Sequence, residues 1–123
     1  MNEVDTWRAR QDSDTLAAID ALRAIARESG PALVESIKWN APSFAQDGED
    51  RITLGVKRKG GVRAVLHRGA AKSGAAFAFD DSDRVARWPS PDRGVLTFPD
   101  RQAVESQRGA LTSLFSRWLE ATA

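Results

Sequence analysis

The sequence contains no cysteine and a single histidine in 123 residues. Disulfides, thiolate zinc sites, cysteine-ligated iron–sulfur clusters and cysteine nucleophiles are therefore excluded. One histidine cannot supply a two-histidine metal site within one chain. The lack of thiols is compatible with a reducing compartment. Neither sign of charge dominates, since 18 basic and 17 acidic side chains give a formal net charge of +1. No global field then steers the chain toward nucleic acid or anionic lipid. No apolar run approaches the length that crosses a bilayer, and the acidic start Met1-Asn2-Glu3-Val4-Asp5 does not read as a secretory signal. The expected location is the cytoplasm. A G-x-S-x-G elbow, a P-loop and a G-x-G-x-x-G fingerprint are all missing.

What is present suits one folded domain. Hydrophobic residues make up 41% and charged residues 28%, ordinary values for a globular protein. Leu16, Ile19, Leu22 and Ile25 form one stripe of a helix that Asp12 or Ser13 caps and Gly30-Pro31 stops. Pro31 opens a short helical turn through Leu33 and Val34. Residues 35–39 alternate as a short strand, and Asn40-Ala41-Pro42-Ser43 breaks it. Asp47-Gly48 is a hairpin signal. Ile52, Leu54 and Val56 mark a half-buried strand, and Val62 to His67 a second one across a Lys/Arg/Gly turn. Phe77 and Phe79 stand at strand spacing, Trp88 to Gly94 reads as a loop with two prolines, and Val95 to Phe98 is a last strand. Val104, Leu111, Leu114, Phe115, Trp118 and Leu119 define a closing helix, with Thr97 and Asp100 spaced as a capping box.

Short connections imply antiparallel pairing. The expectation is a two-layer α+β domain over residues 13–121, an antiparallel β-sheet flanked by N- and C-terminal helices. Residues 1–12 are expected to be mobile, as undocked termini are.

Ile37-Lys38-Trp39-Asn40-Ala41-Pro42-Ser43-Phe44 with Asp47-Gly48-Glu49-Asp50, then Leu66-His67-Arg68-Gly69-Ala70, then Asp92 to Phe98 and the helix through Trp118, resemble the YdhG-like domain family. The resemblance runs over residues 13 to 120. It implies an α+β fold with an antiparallel sheet and a function that is largely unknown. One branch is described as frataxin-like, with a role in intracellular iron delivery. The resemblance brings no catalytic residues.

Lys38-Trp39-Asn40-Ala41-Pro42-Ser43-Phe44 is the most unusual segment. It reads as a ligand pocket, with Trp39 and Phe44 as an aromatic floor and Lys38, Asn40, Pro42 and Ser43 around it. The plainer reading, which large aromatics usually favour, is a strand ending in a proline-directed turn with both aromatics in the core. His67 and Arg68 would suit a phosphate or carboxylate, and they approach the pocket if their strand lies beside strand 35–39. His67 also reads as a general base lacking an identified partner, or as a plain strand histidine. Lys57 to Arg63 is a basic hairpin tip without stacking aromatics, hence a solvated turn. The acidic groups at Asp12/Asp14/Asp20, Asp47/Glu49/Asp50 and Asp80/Asp81/Asp83 show no calcium-loop spacing. No catalytic residue and no metal ligand is assigned, and no cofactor is named.

The leading reading is a binding module for a small ligand, through Lys38, Trp39, Asn40, Pro42, Phe44, His67 and Arg68. A frataxin-like iron chaperone, an enzyme using His67 and a protein-interaction domain displaying Trp7 and Trp88 are the alternatives. Nucleic acid and membrane are not expected partners, and the oligomeric state is open.

Overall fold

The computed structural model describes residues 2–68 and 79–123. The elements run α1 (Glu3–Ala9), α2 (Ser13–Ser29), β1 (Val34–Lys38), β2 (Ala41–Gln46), β3 (Glu49–Val56), β4 (Val62–Leu66), β5 (Arg87–Ser90), β6 (Arg93–Phe98), α3 (Arg101–Glu105) and α4 (Arg108–Ala121). The six strands form one antiparallel sheet in the order β1-β2-β3-β4-β6-β5. The helices pack on one face. Ile19, Leu22 and Ile25 of α2 and Leu111, Leu114, Phe115 and Trp118 of α4 meet Phe44, Ile52, Leu54, Ala64, Leu66, Leu96 and Phe98 of the sheet. This is the two-layer α+β architecture the sequence predicts.

The N-terminal segment expected to fray carries a helix. Asn2 caps α1 by accepting from the Asp5 N–H. Trp7 is buried in the core, and its Nε1–H donates to the Asn40 carbonyl at 2.7 Å. It is no partner surface. Trp88 is half-buried, packs on Trp118 and donates to Asp81.

Several elements depart from expectation, the first three for a local reason. Residues 41–43 do not end a strand; they begin β2. The break is the two-residue turn Trp39-Asn40, both with positive φ (52° and 60°). That is the left-handed pair a tight hairpin requires. The β2–β3 register starts at Ser43↔Thr53, so the missing N–H of Pro42 falls ahead of that ladder. The two-proline loop is in part β5, an edge strand paired only with β6, where proline is tolerated. The closing helix is two helices. Asp100, not Thr97, is the N-cap of α3, accepting from the Ala103 N–H at 2.9 Å, and polar Ser106-Gln107 separates α3 from α4. The turn predicted after Pro31 runs straight into β1 without a helix. Of the strand expected at Phe77 and Phe79, Phe77 lies outside the described residues and Phe79 is in no strand.

Candidate functional site

Strand alternation sends Ile52, Leu54, Ala64 and Leu66 to the helices and Thr53, Gly55, Arg63, Val65 and His67 to the other face. One irregularity adds to that second face. Phe44 stands opposite Ile52, but Ala45 stands opposite Asp50, so Arg51 is an extra residue in β3. Such a bulge re-aims its neighbours. Here it puts Asp50 on the same face as Ser43 and lets the Arg51 guanidinium reach the Thr122 carbonyl.

A buried polar chain results. The Ser43 Oγ–H donates to Asp50 Oδ1 at 2.9 Å; Ser43 Oγ lies 2.7 Å from Thr53 Oγ1; Thr53 Oγ1 lies 2.8 Å from His67 Nε2. Ser43, Thr53 and His67 are all buried. Counting protons orders the chain. A carboxylate only accepts, so the one Ser43 proton goes to Asp50. Ser43 must then accept from Thr53, and Thr53 from a protonated Nε2. Hydrogen-bond counting thus assigns His67 the Nε2–H form. Lys38 Nζ lies 4.0 Å from Asp50 at the far end.

Trp39 covers this chain. Its ring centroid lies 4.9 Å from that of His67, tilted by 35°, and the Arg93 guanidinium carbon lies 5.8 Å from the indole centroid. Trp39 is nevertheless 63% exposed. A groove of about 400 Å³ opens beside it, lined by Gln11, Asn40, Val65 and the cations Lys57, Arg58, Arg63 and Arg93, among others. Among the described residues no Asp or Glu lines it. Gly55 makes room: a Cβ there would stand 2.9 Å from Arg63 Nε, so the arginine lies against bare backbone. A larger concavity of about 560 Å³ sits between the start of α2 and the start of α3. Two of its three carboxylates, Asp12 and Asp100, serve as helix caps, and the third, Asp14, lies in the first turn of α2. Size favours that one; chemistry favours the sheet face.

The residues singled out in the sequence divide. Trp39, Asn40 and His67 meet on the sheet face, and Lys38 joins through Asp50. Phe44 is in the core, and Pro42 is buried opposite Ile37 on the same side of β2 as Phe44. Neither lines the groove. Arg68 is paired with Asp92 at 3.8 Å. The expected adjacency of the two strands fails, because β2 and β3 stand between β1 and β4. The reach of the Trp39 side chain makes the contact instead. Thr53 and Arg93 are not among the sequence-based candidates, Arg63 enters there only within the solvated basic turn Lys57 to Arg63, and Asp50 only as a turn acid. The parity that groups Arg63, Val65 and His67 was the available signal.

Acidic residues elsewhere serve the fold. Asp81 accepts from the Val85 and Ala86 N–H groups and from Trp88 Nε1; burial pushes its carboxyl up, but these bonds outweigh burial and hold it below the ordinary value. Among the described residues no group of three or more His, Cys, Asp or Glu side chains could hold a metal ion. No described helix is long and apolar enough to cross a membrane. The chain matches no family model, no curated protein and no solved structure.

Proposed function

We propose that the chain is a binding module that holds a small anionic ligand in the groove beside Trp39. One observation carries this reading: Lys57, Arg58, Arg63 and Arg93 line the groove beside Trp39, and among the described residues no carboxylate lines it with them. In a chain of net charge +1, four like charges around one concavity repel each other, and a bound anion relieves that repulsion. The test is a thermal-shift titration with inorganic phosphate, pyrophosphate and citrate. A ligand that binds only the folded state at one hundred times its Kd stabilises by about 2.7 kcal/mol. A shift that disappears in Arg63→Ala/Arg93→Ala supports the reading. No shift, or one indifferent to both changes, sinks it.

The His67 hydrogen bond favours a second reading, an enzyme. A catalytic imidazole needs a group that orients it, and Thr53 lies 2.8 Å from Nε2. Hydrolysis of small chromogenic esters that falls in both His67→Gln and Thr53→Val would support it; equal rates in all three proteins would remove it. Membership of the YdhG-like family and a cytoplasmic location rest on the sequence features given above. So does the absence of nucleic-acid and membrane partners. The frataxin-like reading gains no observation from the described residues, while the protein-interaction reading has the exposed Val34, Trp39 and Val56.

A further inference from the structure

We propose that the anion bound beside Trp39 carries a planar ring, and that a nucleotide-sized ring phosphate is the ligand class the groove takes. This rests on reading the face as an anion site and specifies what that site selects. Four cations would by themselves hold a bare phosphate. Trp39 is the part a bare phosphate does not need. It is 63% exposed and has φ 52°, a conformation that bulky side chains rarely adopt. Two unfavourable features at one residue, at a position where Asn or Gly would serve the turn better, mark a side chain held for contact with something else.

The surroundings fit a ring. His67, anchored through Thr53, Ser43 and Asp50, gives the indole a fixed floor. Arg93 supplies a second planar group near the indole, one able both to stack and to pair with phosphate. Asn40 and Gln11 are on the lining; the Gln11 Nε2–H donates to the Trp7 carbonyl at 3.0 Å, and the amide chemistry of both residues suits the polar edge of a heterocycle. The volume of about 400 Å³ falls in the range of small-molecule sites, roughly 300–1,000 Å³. A single-stranded polymer would instead want a track of stacking aromatics. Among the described residues Trp39 is the one strongly exposed aromatic.

Isothermal titration of the whole chain decides this, using AMP, GMP, CMP and UMP against ribose 5-phosphate, which keeps the sugar and the phosphate charge and lacks the planar base. At least one nucleotide is expected to bind about tenfold or more tightly than ribose 5-phosphate, the size of one base–aromatic stack. That preference should vanish in Trp39→Ala and survive in Trp39→Phe, which keeps a stacking face. Equal affinities for ribose 5-phosphate and all four nucleotides would overturn the ring inference and leave the anion site standing. No binding by any of them, with no thermal shift from the simple anions, would remove both. A twelve-nucleotide single strand that binds far more tightly than any mononucleotide, with a steep salt dependence, would overturn the small-molecule assignment.

Discussion

Trp39 and the buried hydroxyls beneath it work in opposite directions on stability. At the tip of the β1–β2 hairpin, Asn is a better turn residue than Trp. Trp39→Asn is therefore expected to change the unfolding free energy by less than about 1 kcal/mol while removing the proposed stacking surface. Urea titration beside ligand titration separates the two effects. Thr53 has no such latitude. Thr53→Val keeps the shape and removes the hydroxyl that links Ser43 to His67. Two buried polar groups then lose a partner, and the expected cost is about 1–3 kcal/mol. Chemical denaturation measures it, and a cost near zero would mean the hydroxyl chain contributes little to the fold. Because the sequence has one histidine, its imidazole nitrogen resonances need no assignment, and they report directly whether Nε2 carries the proton.

Turns and irregularities decide how the elements present these residues. Gly60 and Gly61 both have positive φ (98° and 90°) in the β3–β4 turn. At Gly60 an added Cβ meets nothing within 4 Å, while at Gly61 it would stand 2.6 Å from the Phe98 carbonyl. Gly61→Ala should thus lower the melting temperature more than Gly60→Ala, since it adds a backbone clash to the same left-handed strain; equal losses would refute this. The same scale shows what sequence pattern can reach. Helix α2 was legible end to end, because a 3.6-residue stripe, an Asp cap and a Gly-Pro stop all agree. Strand β2 was hidden by Pro42, and β5 by Pro89 and Pro91, since proline signals a break unless its place in the ladder is known. In the site, Trp39 and His67 were both named. Their contact follows from strand order and the sweep of one side chain across two strands, which no local pattern encodes. Asp50 escaped because the bulge at Arg51 shifts the two-residue alternation by one.

At the scale of the molecule, a web of charge ties the N-terminal helices to the first edge of the sheet. Arg8 of α1 binds Asp20 of α2; Arg23 binds both Asp20 and Glu35 of β1; Arg27 also binds Glu35. Burial pushes the Glu35 carboxyl up, but the hydrogen bonds from Arg23 and Arg27 outweigh it and hold the group below its ordinary 4.5. The same balance holds Asp20 below its ordinary 3.8. Because folding lowers these values, the unfolded chain binds more protons as pH falls. The stability they contribute is present in full above about pH 4.5 and is lost as pH drops through the folded-state values. Urea midpoints measured from pH 6 to pH 3 should fall steeply for the natural chain and less steeply for Glu35→Gln. Parallel curves would show that this web does not set the acid limb.

Only one face of the sheet is committed to the helices. On the other, Trp39, Lys57 and Arg58 sit in turns or at a strand's end, and Arg63 and Arg93 point away from the core. Substitutions there leave the packed layer intact. A descendant gene could exchange these residues one at a time without passing through an unfolded ancestor, so across a lineage the taste of the groove is free to drift while the scaffold is inherited almost unchanged.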